Sequence, residues 1–220
     1  MANLRAVLIG DIVKSRKVKQ RKELQLKLEN ALFRINNDYQ RFIESKFLVT
    51  VGDEFQGVLK PTAPVYKIIC IIAESIFPVQ VRLGLGLGSI TTPVKETALG
   101  MDGPVFHAAR EALNIAHEDK KEHAVVFKPE PGVLDKNSEE EVNALLGSLA
   151  VIKKLWPGSF QEILPYLREG KTQKEIASLK GTTQPYISKL INNAYWKEVK
   201  LLEEQVERLL EFHMSGGKHL

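Results

Sequence analysis

Ala6-Val-Leu-Ile-Gly-Asp-Ile-Val13 and Leu48-Val-Thr-Val-Gly-Asp-Glu-Phe-Gln-Gly-Val-Leu59 decide how this chain folds. Each is an apolar, β-branched run that meets Gly-Asp. Such a run reads as a strand buried along its length that delivers one carboxylate to a sheet edge. A long amphipathic stretch separates the two, so the spacing predicts neighbouring strands with Asp11 and Asp53 side by side. Paired carboxylates repel unless a cation lies between them, and Mg²⁺ favours one or two carboxylates together with substrate phosphates. Gly-Asp also caps ordinary turns. The recurrence of the pair at this spacing favours a metal or phosphate site, with Asp11 and Asp53 as the metal ligands.

Six cations in nine residues come after Asp11: Lys14, Arg16, Lys17, Lys19, Arg21 and Lys22. They stand where a helix starts, and helix N-termini favour phosphate, so Lys14 and Arg16 are candidate phosphate contacts. The same run also reads as a solvated helix start. Leu24, Leu28, Ala31, Leu32, Ile35, Tyr39 and Phe42 recur at helical spacing. Gly52-Asp53-Glu54 reads as a tight turn into the return arm of a hairpin, Phe55 to Leu59. Pro64 opens a second helix and Pro78 closes it. Val79 to Gly88 alternates strictly, with aliphatics on one face and Gly84, Gly86 and Gly88 on the other. That bare face either seats a closely packed helix or lets a nucleotide lie against backbone, with Gly84 and Gly86 beneath it. A helix over 105–116 and a strand over 124–127 complete the order β-α-β-β-α-β-α-β. This predicts an α+β, ferredoxin-like or palm-type domain over 1–130. Residues 131–155 are expected to be a linker with a short helix, and 215–220 a disordered tail.

A chain of 220 residues accommodates one or two domains. Its 44% hydrophobic and 26% charged residues are those of an ordinary globular protein. The net charge of +4 leans toward an anionic partner, and most of the excess lies C-terminal to residue 150. Cys70 is the lone cysteine, so no disulfide forms within the chain. No signal-peptide pattern and no apolar run of about eighteen residues is present. These features lead to an expected cytoplasmic protein that does not engage membrane. The five histidines form no ligand set in the sequence, and Ser15 has no nucleophile-elbow context.

The N-terminal segments resemble the catalytic domain of class III nucleotidyl cyclases and, more loosely, the diguanylate cyclase palm. Four segments carry this in order: Ile9-Gly-Asp-Ile12, Val51-Gly-Asp-Glu54, Val81 to Gly88, and Asp102-Gly-Pro-Val-Phe-His-Ala-Ala-Arg110. The resemblance implies metal binding by Asp11 and Asp53 and a catalytic, transition-state contact from Arg110. It also marks two departures: the cyclase asparagine falls on Phe106 and the base-selecting lysine on Val49. Over essentially its whole length the chain resembles the SatD-like family. Gly10 to Arg16, Gly52 to Gly57 and Asp102 to Glu111 carry that likeness.

Gln173 to Leu190 has the pattern of a helix-turn-helix. Ala177 suits the helix crossing, Gly181 the sharp turn, and Ile176, Leu179, Ile187 and Leu190 the inner face. Thr182 or Thr183 can cap the second helix, and Pro185 suits its first turn. Such a helix lies in the major groove, which makes Gln184, Tyr186, Ser188, Lys189 and Asn192 candidate duplex DNA contacts. A tri-helical unit of this kind also serves protein interaction without DNA. Tyr195, Val199, Leu202, Val206 and Leu209 continue as a short coiled-coil seam, consistent with a homodimer. The all-α domain is expected over 156–214. These readings combine into a DNA-binding regulator whose N-terminal domain senses a nucleotide or phosphorylated ligand with Mg²⁺. The alternative is a nucleotidyl cyclase or nucleotidyltransferase acting on ATP or GTP.

Overall fold

A computed structural model describes residues 4–15, 18, 20–118 and 125–216. The chain forms two compact units, one of Met1–Gly147 with Val206–Leu220 and one of Ser148–Gln205. Both boundaries fall inside helices, and the expected linker at 131–155 is replaced by a 19-residue helix.

The first unit is built on a five-stranded sheet. Its strands are β1 (Arg5–Ile12), β2 (Ile43–Val49), β3 (Phe55–Leu59), β4 (Val81–Gly88) and β5 (Val125–Pro129), in the spatial order β2-β3-β1-β4-β5. The first four are antiparallel neighbours in ferredoxin-like order, and β5 adds to β4 in parallel. The α+β expectation holds. One detail differs: β1 pairs with the return arm β3, not with β2, because β2 and β3 are the two arms of a hairpin. Asp53 therefore reaches the end of β1 from the hairpin loop.

Alternation sorts β1 onto two faces. Val7 and Ile9 join a cluster with Val105, Phe106, Ala109 and Leu113 of α3 (Pro104–Glu118). Ala6, Leu8 and Ile12 are buried on the other side, where α1 (Arg21–Asp38) and α2 (Val65–Ser75) pack together. The α1 stripe is Leu24, Leu28, Ala31, Leu32 and Ile35. Tyr39 stands at its C-cap, and Phe42 ends a separate 3₁₀ turn.

The alternating β4 resolves in favour of helix packing. A Cβ added at Gly84 would overlap the Ala109 carbonyl of α3 and come within 2.5 Å of the Leu113 amide. One at Gly86 would overlap the Val105 carbonyl. The nucleotide-floor expectation for Gly84 and Gly86 is thus corrected, since α3 backbone occupies the space above them.

Both sheet edges are closed by asparagines. Asn36 of α1 donates to the Phe47 carbonyl and accepts from its amide at 2.9 and 2.8 Å. Asn143 of α4 (Lys136–Lys154) does the same for Phe127, both at 2.8 Å. One amide side chain thereby replaces one missing strand partner at an otherwise exposed edge.

The second unit is helical: the end of α4, α5 (Gly158–Gln161), α6 (Leu164–Arg168), α7 (Gln173–Leu179), α8 (Gln184–Asn193) and the start of α9 (Trp196–Met214). Trp156, Phe160 and Trp196 meet ring to ring at 4.8–6.1 Å between centroids. Glu203 is buried between Lys153 at 2.6 Å and Arg168 at 2.5 Å. Burial pushes its carboxyl up, but Arg168 and Lys153 outweigh this and hold it below the usual range. A capping box of Thr172 and Glu175 starts α7, whereas Thr183 precedes α8 without a side-chain cap. Ile176, Ala177, Ile187 and Leu190 face inward as expected, but Leu179 is 58% exposed. The expected seam is also altered. Tyr195 is exposed at φ 51° before α9 begins, and the buried stripe runs through Val199, Glu203, Val206, Leu210 and His213. Leu202 and Leu209 flank it half-buried. Ser215 is hydrogen-bonded to Glu211 and Phe212, and residues 217–220 of the expected tail lie outside the described residues.

Gly84→Ala should force α3 away from the sheet and cost about 3 kcal/mol, the upper range for overpacking a core. Urea unfolding of the purified variant measures the loss. Wild-type stability would show that the helix does not need this close approach.

Candidate functional site

Three carboxylates gather where β1 ends beside the β2–β3 loop. Asp11 follows the cluster-forming Val7 and Ile9 by the two-residue period, so it lies on the α3 face, directly opposite Arg82 of β4 in the antiparallel register. Its Oδ1 lies 3.2 Å from Arg82 Nε, a charge contact without hydrogen-bond geometry, and its Oδ2 lies 3.0 Å from His117 Nε2. Arg82 Nη1 is 2.5 Å from His117 Nδ1. Arginine can only donate, so His117 Nδ1 accepts and Nε2 carries the proton toward Asp11. The three side chains close a ring of polar contacts.

Asp53 and Glu54 come from the hairpin loop, which Thr50 closes by donating its amide to the Glu54 carbonyl at 2.8 Å. Glu54 takes a bidentate contact from Arg110 of α3, with Nη2 to Oε1 at 2.7 Å and Nη1 to Oε2. Arg110 and His117 are seven residues apart, two turns along one face of α3, which carries both to the same sheet end. Asp53 is half-buried and makes no ion pair among the described residues.

Burial pushes the Asp11 carboxyl above its ordinary value of 3.8. Arg82 and His117 pull it down, but the charges of Asp53 and Glu54 add to the upward push.

Lys14 is exposed in the turn after β1 with φ 54°. Arg16 lies outside the described residues, as does His123. Phe106, at the cyclase asparagine position, is buried in the α3 core. His107 is exposed and faces Asp102 at 3.4 Å. Reading the sequence missed Arg82, His117 and Glu54. Arg82 was legible as the one charged residue on the glycine face of β4, and His117 as the heptad neighbour of Arg110.

Hard oxygen donors of this kind suit Mg²⁺. Asp11 is engaged by Arg82 and His117, and Glu54 by Arg110. No three ligating atoms of this cluster lie within 4.8 Å of one another. Asp11 and Asp53 are the oxygen donors of this end that could hold such a cation.

The α8 surface is separate. Gln184, Tyr186, Lys189 and Asn192 are exposed or half-buried, as is Ser188, on the side away from Ile187, Leu190 and Ile191. Gln184 Nε2 donates to Gln173 at 2.6 Å.

The SatD family model matches residues 6–201. The chain belongs to the SatD family. No curated protein matches it. Among solved structures, this SatD-family chain is similar to a bacterial light-regulated adenylyl cyclase, at 15% identity and a TM-score of 0.42 over 56% of this chain and 74% of that one. It is similar also to a dimeric guanylyl cyclase domain of the RhoGC fusion protein from the aquatic fungus Blastocladiella emersonii. There the identity is 18% and the TM-score 0.41, over 57% and 79% of the two chains. No helix among the described residues is long and apolar enough to cross a membrane.

The raised Asp11 carboxyl has a signed consequence. The fold binds this proton more tightly than the unfolded chain does, so the contribution is full below about 3.8 and is lost as pH rises through the folded-state value. Asp11→Asn should therefore gain stability relative to the wild type as pH rises across that weakly acidic window. Urea midpoints of both proteins at closely spaced pH values test this, and a variant-minus-wild-type midpoint that falls with rising pH would contradict it.

Proposed function

We propose that the first unit binds a nucleoside triphosphate with Mg²⁺ at the Asp11–Asp53 end of the sheet, and that this SatD-family protein uses the site to sense its ligand. The supporting observation is the convergence of Asp11, Asp53 and Glu54 on one strand end, faced by the guanidinium groups of Arg82 and Arg110. Asp11 and Asp53 would hold Mg²⁺, which supplies charge neutralisation for a polyphosphate when bound. Arg110 is already aimed at this end by Glu54 and can exchange that carboxylate for two oxygens of a phosphate, which a guanidinium also grips in bidentate fashion. Lys14 stands at the same strand end as a further cation.

Sensing is favoured over turnover by two features. Phe106 packs in the core where the resembling cyclases carry an asparagine, and both Arg110 Nη atoms are held by Glu54. Cyclase or nucleotidyltransferase chemistry on ATP or GTP is the second reading, supported by Arg110 standing beside the carboxylates. Incubating the protein with each triphosphate and Mg²⁺ separates the two. Sensing expects a raised melting temperature with intact nucleotide, lost in Asp53→Asn. A product that disappears in Asp53→Asn would establish turnover instead.

The second unit is read as the output, a duplex DNA contact through α8. What supports this is the division of α8 into a buried Ile187, Leu190 and Ile191 face and an outer face of Gln184, Tyr186, Lys189 and Asn192. Gly181, at φ 61° in the turn, lets α7 and α8 follow each other closely. A homodimer would place two such helices on two half-sites. Gln184→Ala with Lys189→Ala should weaken duplex binding, by about 1–3 kcal/mol for each bidentate pairing with a base edge that the changes remove. Fluorescence anisotropy on genomic fragments at low and moderate salt measures it, and binding indifferent to both changes removes α8 as the reading helix.

A further inference from the structure

Gln173 opens α7 and Gln184 opens α8, and their side chains meet. Gln184 Nε2 donates to Gln173 Oε1 at 2.6 Å. Gln184 is exposed and Gln173 half-buried, so the bond lies at the surface of the helical unit. An exposed amide–amide bond adds little to stability, because water offers each group a comparable partner. What the bond changes is the freedom of Gln184. An untethered glutamine spreads over many rotamers, whereas one tied by its amide holds its direction before any partner arrives. Pro185, in the first turn of α8, fixes the backbone beside it.

The amide chemistry says what Gln184 can take. Gln173 occupies one Nε2 hydrogen, which leaves the second hydrogen and Oε1. These are a donor and an acceptor side by side. They stand on the first residue of α8, and the N-terminal residues of a helix lying in a major groove are the ones that meet base edges. Only adenine presents the matching acceptor and donor there, N7 and its exocyclic amino group. Guanine offers two acceptors, cytosine a donor, and thymine an acceptor beside a methyl group. Lys174, next to Gln173, and Lys189 of α8 are exposed and in no ion pair among the described residues, which suits a polyanion. We propose that Gln184 reads an adenine and that Gln173 is the residue that positions it. This rests on the reading of α8 as a duplex DNA contact.

Selecting the full chain's preferred site from a randomised duplex library, then measuring fluorescence anisotropy on that site, tests this. At one adenine of the site, an analogue lacking N7, or purine lacking the amino group, should each weaken wild-type binding about threefold or more. Gln184→Ala should bind the adenine and analogue duplexes equally. Gln173→Leu should keep the melting temperature and the affinity for an unrelated duplex, and reduce the analogue effect to less than about twofold. Gln173→Glu keeps an acceptor for Gln184, so it should keep the analogue effect while weakening all duplexes alike through its added negative charge. A wild type that binds duplex with no adenine sensitive to the analogues overturns the assignment and leaves the DNA reading standing. So does a Gln184→Ala that keeps the sensitivity. A folded Gln173→Leu with the full analogue effect overturns the positioning role. If Gln173→Leu does not fold, Gln173→Glu decides, and loss of the analogue effect there overturns it. Failure of the wild type to bind any duplex at low salt removes this inference and the DNA reading together.

Discussion

Everything at the candidate site depends on how closely α3 lies on β4. The Ala109 and Val105 carbonyls occupy the space that side chains at Gly84 and Gly86 would fill. Seated this deeply, α3 brings Arg110 within reach of the hairpin loop and His117 within reach of Asp11. A helix held off by even a methyl group would move both side chains outward, since interiors relax only partly around added volume. The glycines thus act on the site through position and not through contact.

Without a ligand the protein neutralises its own acidic end. Arg82 and His117 cover Asp11, and Arg110 covers Glu54. Removing one partner from such a cluster leaves a partly buried charge exposed to the others, and the upward push on Asp11 from burial, Asp53 and Glu54 records that tension. On the proposed reading, a divalent cation would answer the surplus negative charge, and an anionic phosphate would answer the guanidinium groups that the cation's arrival sets free.

The strands were legible because alternation and β-branched runs carry the two-residue period of a strand. β4 is found at Val81–Gly88, within the alternating run that begins at Val79. The partner of β1 was not legible, because two arms of one hairpin compete for the same edge and local pattern does not choose between them. The glycine face was equally ambiguous: a missing side chain accommodates a helix and a ligand alike, and only the position of α3 decides. At the site, Asp11, Asp53 and Arg110 could be named from motif-like segments. No motif gives a role to Arg82, His117 or Glu54; the only signals for Arg82 and His117 were position, one on the glycine face of β4 and the other a heptad after Arg110. On α9 the four-three spacing was present, but burial follows a stripe displaced from it, through Glu203, Leu210 and His213. Glu203 sits on that stripe because Lys153 and Arg168 make a buried carboxylate tolerable there.

The Arg110–Glu54 pair separates a sensor from a catalyst in physical terms. A transition-state contact works when it strengthens as charge develops, which requires a guanidinium that is preorganised and not yet satisfied. Here both Nη atoms of Arg110 already hold a carboxylate in bidentate geometry. Transferring it to a phosphate exchanges one bidentate anionic acceptor for another, so the gain is spent on ground-state binding. Such an exchange costs little charge separation and leaves Glu54 released beside Asp53, in the hairpin loop that ends β2 and begins β3. Ligand binding would then be read out as a change at that loop, which is what a sensing domain requires and what a catalytic step does not.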